Sequence, residues 1–387
     1  MNTVLVTGAE GFIGRNLVHA LGHREGVRVL ECHRKTTAEQ LDQAVQQANV
    51  VIHLAGINRP PSDDQFVSGN VGFTEVLCDL LVKYPRPRQL LFASSIQAEL
   101  DNPYGASKRA AEEVLRATAD GTDTGVVIFR LPNVFGKWSR ANYNSAIATF
   151  CHNLTRDLPI HVTVPERTLS LVYIDDVVDA FIDQLEHPLA GFRQATVDPV
   201  EQIKLGELAD MLEQFRSSRD TLQMPSLETP LARKLYATYL SFLPETDYAY
   251  PLLQREDQRG VLAEFIKAPA FGQVFVSRTK PGITRGNHYH HTKTEKFMVL
   301  SGQSMIRFRH VLSDEVLEYA VSGDEMRVVD IPPGYTHSIE NIGNSEMVVL
   351  FWASEVFNPS QPDTYFEAVI RETEGSDESC NGRRNAA

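Results

Sequence analysis

Residues 4–14 read Val4-Leu5-Val6-Thr7-Gly8-Ala9-Glu10-Gly11-Phe12-Ile13-Gly14. An apolar run of strand length breaks at a glycine, and Phe12 and Ile13 open a helical pattern. Glycine at 8, 11 and 14 lets the backbone turn tightly and come close to a pyrophosphate, whose charge then meets a helix N-terminus. Alone, a glycine trio marks only a tight turn. Here the chain beyond it keeps the same rhythm. Short apolar runs at Val27–Leu30, Val50–Leu54, Leu90–Ser94 and Val126–Leu131 alternate with helical patterns at Leu41–Gln47, Thr74–Lys83 and Lys108–Ala117. This alternation predicts an α/β, doubly wound parallel sheet with helices on both faces.

Farther on, Leu205–Phe215 is the clearest of several helical patterns. Pro244, Pro251 and the polar run Arg255 to Gly260 then mark a boundary. Beyond it the period switches to two. Gln273–Ser277, Glu295–Leu300, Met305–His310, Val316–Val321, Glu325–Asp330 and Met347–Trp352 are separated by Gly, Pro and Asp turns, which predicts an all-β sandwich or barrel. The expected domains are 1–243 and 244–370, with a polar, disordered tail over 371–387.

With 387 residues the chain is long enough for two cores. A formal net charge of −13 excludes nonspecific nucleic-acid binding, which needs a basic surface. The four cysteines show no paired spacing. No apolar run approaches the roughly 20 residues of a membrane span. Together with an opening straight into strand-like Thr3–Val6, these features lead us to expect a cytoplasmic protein with no membrane or nucleic-acid partner.

Two constellations carry chemistry. In the first half, Tyr104-Gly105-Ala106-Ser107-Lys108 puts a phenol and an ammonium four apart, on one helix face. A nearby ammonium favours the phenolate and makes a better proton shuttle of a group whose pKa is ordinarily about 10. Ser94 and Ser95 end the preceding strand, where a serine can hydrogen-bond a substrate carbonyl. In the second half, Gly282-x5-His288-x-His290-x4-Glu295-x6-Gly302 is followed by Pro332-x-Gly334-x2-His337-x3-Asn341. Residues two apart on a strand share a face, so His288 and His290 can both point inward. Glu295 and His337 are expected from neighbouring strands. Three imidazoles and a carboxylate suit zinc, iron, manganese or nickel; zinc is the ion expected.

The N-terminal half resembles the extended short-chain dehydrogenase/reductase family that acts on nucleotide sugars. The likeness rests on the glycine turn, His53-Leu54-Ala55-Gly56, Asn70, Tyr104-x3-Lys108, Pro132-Asn133-Val134-Phe135-Gly136 and Val172 to Val177. It implies that Tyr104 is the acid, Lys108 its partner and Ser95, rather than Ser94, the third catalytic residue. It implies cofactor contacts at Gly8, Gly11, Phe12, Ile13, Gly14, Leu54, Ala55 and Gly56, and substrate contacts at Asn58, Asn133 and Lys137. Glu31 could bind a ribose hydroxyl. His33 and Arg34 follow it, an arginine there suits a 2′-phosphate, and NADPH is the expected cofactor.

The second half resembles the cupins, although the usual glycine before Pro332 is displaced. Arg285-Gly286-Asn287-His288 is also similar to the Arg-Gly-x-His of cupin-fold deoxysugar epimerases, in which that histidine is the base. His288 therefore has two competing roles, metal ligand and base. Reductase followed by cupin resembles the bifunctional capsule and O-antigen enzymes that make the precursor of UDP-N-acetyl-L-fucosamine. Marks of that likeness are Asn58-Arg59-Pro60, Ser94 to Ala98, Asp101 to Gly105, Phe135 to Trp138 and Gln361 to Phe366. It implies a homodimer that takes UDP-2-acetamido-2,6-dideoxy-β-L-arabino-hex-4-ulose. The cupin inverts C3, and the dehydrogenase then reduces the C4 ketone to give the β-L-talose derivative. The rival readings are a C4 reductase carrying a non-catalytic sugar-binding or oligomerising cupin, and a cupin oxygenase with redox iron.

Overall fold

Parallel pairing organises the first unit in a computed structural model of the chain, which describes residues 2–371 apart from 61 and 63. Its strands are β1 (Asn2–Thr7), β2 (Val27–Cys32), β3 (Val50–His53), β4 (Arg88–Ser95), β5 (Thr124–Leu131), β6 (Asn133–Phe135), β7 (Thr168–Tyr173), β8 (Phe192–Ala195) and β9 (Glu201–Lys204). Its helices are α1 (Phe12–Gly22), α2 (Ala38–Gln47), the single turn α3 (Asp64–Phe66), α4 (Phe73–Lys83), α5 (Pro103–Gly121), α6 (Ala146–Leu154) and α7 (Ile174–Glu186). They are followed by α8 (Leu205–Thr221) and α9 (Pro230–Leu240). The main sheet runs β2-β1-β3-β4-β5-β8 with every pair parallel. Strand order reverses between β1 and β3, the point where such sheets open a ligand crevice at their carboxyl ends.

The alternation seen in the sequence sorts the core onto two faces. Val4, Val6, Ile52 and Leu91 pack with Leu17 and Leu21 of α1 and Val177 and Phe181 of α7. Leu5, Val51, Leu90 and Phe92 pack with Leu41 and Val45 of α2, Leu77 and Leu81 of α4, and Ala111 and Leu115 of α5. The helical partners are four apart, so each helix gives one stripe to the sheet. Each fully buried Leu, Val or Phe contributes about 1.5–3 kcal/mol. A smaller sheet, β6-β7-β9, has its own cluster around Phe135, Phe150, Leu208 and Leu212. Cys32, Cys78 and Cys151 are free and buried.

The second unit is antiparallel. It contains β10 (Gln254–Asp257), β11 (Gly260–Ala268), β12 (Gly272–Thr279), β13 (Thr284–Tyr289), β14 (Glu295–Ser301), β15 (Gln303–His310), β16 (Val316–Ser322), β17 (Val328–Ile331), β18 (Tyr335–Asn341), β19 (Met347–Ala353) and β20 (Tyr365–Phe366). Two sheets form, β10-β11-β12-β19-β14-β17 and β16-β15-β18-β13-β20. Phe297, Ile306, Ile339, Val349 and Phe351 form the core of this unit.

The division is not a single cut near residue 243. The first unit holds the chain up to Arg216 and Leu227–Tyr248; the second holds Ser217–Ser226 and the described residues from Ala249 on. Hydrogen bonds explain the early segment. Met224 N–H donates to the Lys267 carbonyl at 2.7 Å, and Lys267 N–H to that of Leu222 at 2.9 Å. Of the expected tail only Arg371 is described; 372–387 lie outside the described residues.

Candidate cofactor and metal sites

The turn after β1 is built for close approach. Gly8 has φ +69°, and a Cβ there would meet Ala55 N at 2.8 Å. A Cβ on Gly14 would lie 2.2 Å from the Gly8 carbonyl oxygen. Helix α1 can start this near the turn only with glycine at 14. Gly14→Ala should therefore cost about 1–3 kcal/mol of local geometry, weakening nicotinamide dinucleotide binding roughly 5- to 150-fold. A fluorescence titration checks this; unchanged affinity would detach the turn from the cofactor. Ala9 N–H donates to the Cys32 carbonyl at 3.2 Å, which ties the turn to the end of β2. His33 follows there with its N–H on Thr36 Oγ1 at 3.0 Å, and Arg34 beside it is exposed.

A hydrogen-bond relay supports the other wall. Ala55 N–H donates to Thr7 Oγ1 at 3.2 Å, and that hydroxyl lies 2.7 Å from His53 Nδ1. Nε2 of His53 lies 3.0 Å from Thr74 Oγ1, which itself donates to the Asn70 carbonyl at 2.7 Å. One orientation satisfies every group: Thr7 donates to Nδ1, and Nε2–H donates to Thr74. The ring is therefore neutral, and burial, with Lys108 adding to it, pushes its pKa down to about 3. Asn70 then clamps Ile57, accepting its N–H at 2.7 Å and donating to its carbonyl at 3.2 Å. It also donates to Ser107 Oγ at 2.9 Å, and Ser107 donates to the Tyr104 carbonyl at 2.8 Å. The sequence marked Asn70 but not this chain from β1 to α5.

Asn102 caps α5, accepting from Gly105 N–H at 2.8 Å, and so sets the first turn that carries Tyr104. Ser95, whose Oγ accepts from Gln97 N–H at 3.2 Å, is the neighbour that lowers the pKa of the Tyr104 phenol. Ser94 instead donates to Glu112, which also receives Arg130 Nε at 3.0 Å. The two serines are thereby separated: one meets the phenol, the other anchors β4 to α5. Lys108 is buried, with Nζ donating to the Ala93 carbonyl at 2.9 Å and lying 4.6 Å from the centre of the Phe92 ring. A Cβ at Gly56 would stand 3.4 Å from that Nζ. The sequence expectation that Lys108 lowers the phenol is not met here. Burial pushes Tyr104 up to about 12, opposed by Ser95. Burial brings Lys108 down to about 8, opposed by Glu112.

The three substrate candidates are placed differently. Asn133 is exposed, its amide donating to the Ser170 carbonyl at 3.0 Å. Asn58 is half-buried in the segment after β3. Lys137 is paired with Asp175, a partner the sequence reading missed, and its carbonyl accepts from Asn16 Nδ2 of α1 at 3.4 Å.

In the second unit His288, His290, Glu295 and His337 bring one ligand atom each within 4.8 Å of one another. His288 stands opposite His337 in the β13/β18 ladder, after a bulge at Asn287, whose φ is +60°. Glu295 is not on a strand next to these two, as expected. It starts β14 in the opposite sheet and reaches the cluster across the sandwich. Glu295 Oε2 lies 3.4 Å from His290 Nε2 and 3.5 Å from His337 Nε2. Both of those nitrogens are buried without a hydrogen-bond partner.

Their other ring nitrogens explain why. His290 Nδ1 is 2.6 Å from the Asp363 carbonyl, and His337 Nδ1 is 3.3 Å from that of Tyr335. A carbonyl only accepts, so Nδ1 carries the proton and each Nε2 aims a lone pair at the cluster. Burial pushes His288 down to about 4, and its two histidine neighbours add to this. Glu295 completes the set, with Oε2 within 3.5 Å of both Nε2 atoms. Converging lone pairs beside an ionised carboxylate fit a divalent cation.

The NAD dependent epimerase/dehydratase family matches residues 4–197, and a polysaccharide biosynthesis C-terminal domain matches 255–365. The chain belongs to the NAD dependent epimerase/dehydratase family. Along nearly its whole length it is also 46% identical to a Pseudomonas aeruginosa UDP-2-acetamido-2,6-beta-L-arabino-hexul-4-ose reductase, covering 94% of this chain and 97% of that one. The crystal structure of the capsular polysaccharide assembling protein CapF from Staphylococcus aureus superposes with a TM-score of 0.88 at 47% identity, over 95% of this chain and 100% of that one. A UDP-glucuronic acid 4-epimerase from Bacillus cereus, 19% identical with a TM-score of 0.54, covers 62% of this chain and 98% of its own; it shares the fold. Among the described residues no helix is long and apolar enough to cross a membrane.

Proposed function

We propose that the chain is a bifunctional, cytoplasmic nucleotide-sugar enzyme acting on UDP-2-acetamido-2,6-dideoxy-β-L-arabino-hex-4-ulose. Its cupin unit inverts C3 and its first unit reduces C4 to the β-L-talose product, as a homodimer. The observation that supports this best is that one chain holds both the Ser95–Tyr104–Lys108 group and the His/Glu cluster. The named relative is a reductase of this sugar class.

The chemistry sets the order. A C4 ketone acidifies the hydrogen on C3; a base removes it and a proton returns on the other face. Reduction to an alcohol ends that acidity and locks the new centre. In the first unit, bound NADPH supplies the hydride for C4. Ser95 and Tyr104 hold the ketone oxygen and Tyr104 gives it a proton, with Lys108, buried one turn along α5, as its partner in that transfer. In the cupin, His290, Glu295 and His337 would hold a zinc ion, with His288 as a fourth ligand only where it is not the base, and the ion would supply Lewis acidity toward the ketone. His288 also stands as the candidate C3 base.

The test uses the 4-keto sugar in deuterated water without NADPH. Deuterium entering at C3 establishes an epimerase that acts before reduction. NADPH consumption without any such exchange leaves a C4 reductase with a binding cupin. Two further results are expected. Arg34→Ala should raise the KM for NADPH and leave that for NADH unchanged; an enzyme that prefers NADH regardless removes Arg34 from cofactor choice. Lys108 is charged below about pH 8 and neutral above it. So kcat/KM for reduction should fall as pH rises past that point, and a profile still rising there would argue against the role of its charge.

A further inference from the structure

The segment that follows β19 returns to lie along β13. Phe366 pairs with His288 and Tyr365 with Tyr289, on the strand that carries His288 and runs directly into His290. Its centre is Asp363, a non-glycine residue at φ +37°. The Asp363 carboxylate accepts three successive backbone N–H groups, those of His291 at 3.0 Å, Thr292 at 2.9 Å and Lys293 at 2.9 Å. It also accepts the Thr292 hydroxyl at 2.9 Å. From the other side Lys293 Nζ donates to the Pro362 carbonyl at 3.1 Å and to Thr364 Oγ1 at 3.0 Å. Downstream, fully buried Arg309 donates to the Ala368 and Val369 carbonyls, each at 2.9 Å.

A left-handed backbone costs a non-glycine residue roughly 1–2 kcal/mol. Four hydrogen bonds to one carboxylate hold Asp363 there. The outcome is specific: its own carbonyl is turned onto His290 Nδ1, 2.6 Å away. That bond fixes both which nitrogen carries the proton and the plane in which the ring stands.

We propose that Asp363 is a positioning residue for the metal cluster: its side chain clamps the strap to residues 291–293 so that its carbonyl locks His290 with Nε2 free for the ion. This rests on the reading that the cluster binds a divalent cation. Without the lock, His290 can adopt the other tautomer or rotate, and a ligand is lost from the preorganised set. Partners of this kind are commonly worth about 10- to 100-fold in metal affinity.

The test uses the full chain, stripped with a chelator and titrated with Zn2+ alone, as wild type, Asp363→Ala and Asp363→Asn. Asp363→Ala should weaken zinc binding about 10- to 100-fold. Nitrogen-15 histidine spectra of the metal-free protein should show His290 losing its single Nδ1–H tautomer. Asp363→Asn keeps one acceptor oxygen and should lose less. It carries the test if the alanine variant does not fold. NADPH affinity, which reports on the other unit, should stay unchanged in both. A variant that folds, keeps the wild-type zinc affinity and keeps the Nδ1–H tautomer overturns the proposal. A wild type that takes up no zinc overturns the metal reading, and this inference with it.

Discussion

Tyr104→Phe should abolish NADPH oxidation by the 4-keto sugar while leaving deuterium exchange at C3 at its wild-type rate. The substitution removes one hydroxyl from a ring held by the capped first turn of α5 and packed 5.8 Å from Phe66. The fold loses nothing it depends on; the C4 oxygen loses its proton donor. General acid catalysis is worth about 10²- to 10⁴-fold, and a loss of that size is expected in kcat. A burial-raised pKa of about 12 suits this direction of transfer. The group is fully protonated at neutral pH and gives its proton up only when an alkoxide forms beside it. If the variant lost exchange as well, the division of labour between the two units would be wrong.

The second large effect is expected at the cluster. His337→Ala should bring bound zinc close to zero after dialysis and slow C3 exchange about 10²-fold or more. Its Nε2 is one of the cluster's two buried nitrogens with no hydrogen-bond partner, so the loss is of a ligand. His288→Ala, compared on the same two readouts, separates the roles of that histidine. Loss of zinc together with exchange assigns it to the ion, and loss of exchange with zinc retained makes it the base. In both variants NADPH should bind as before, and a fall in NADPH affinity would point to a folding defect instead.

The parallel half of the fold was readable from the chain because its signal is local. A strand, a glycine turn and an amphipathic helix recur within a few tens of residues, and each helix shows its stripe four residues apart. The antiparallel half was readable as texture, with strand lengths and turns but not partners. Its cluster was found by spacing alone, yet the route by which Glu295 arrives was misjudged, since nothing local says which sheet a strand joins. The Tyr104–Lys108 pair shows a different limit. Helical spacing puts both on one face, but it carries no information about burial, which drives the two pKa values in directions opposite to those simple proximity suggests. Asp363 acts 73 residues away from His290, and no local pattern marks it.

The bulge at Asn287 changes how one motif should be read. On a regular strand two residues three apart look in opposite directions, so Arg285 and His288 would stand on opposite walls. The extra residue cancels that odd step: Arg285 pairs with Ile339 and His288 with His337, and those two partners are themselves two apart. A cation and an imidazole are thereby brought to the same wall by a miscount in the ladder. The Gly-Asn between them acts as a parity switch, with Gly286 at φ +97° and Asn287 at φ +60° making the extra step.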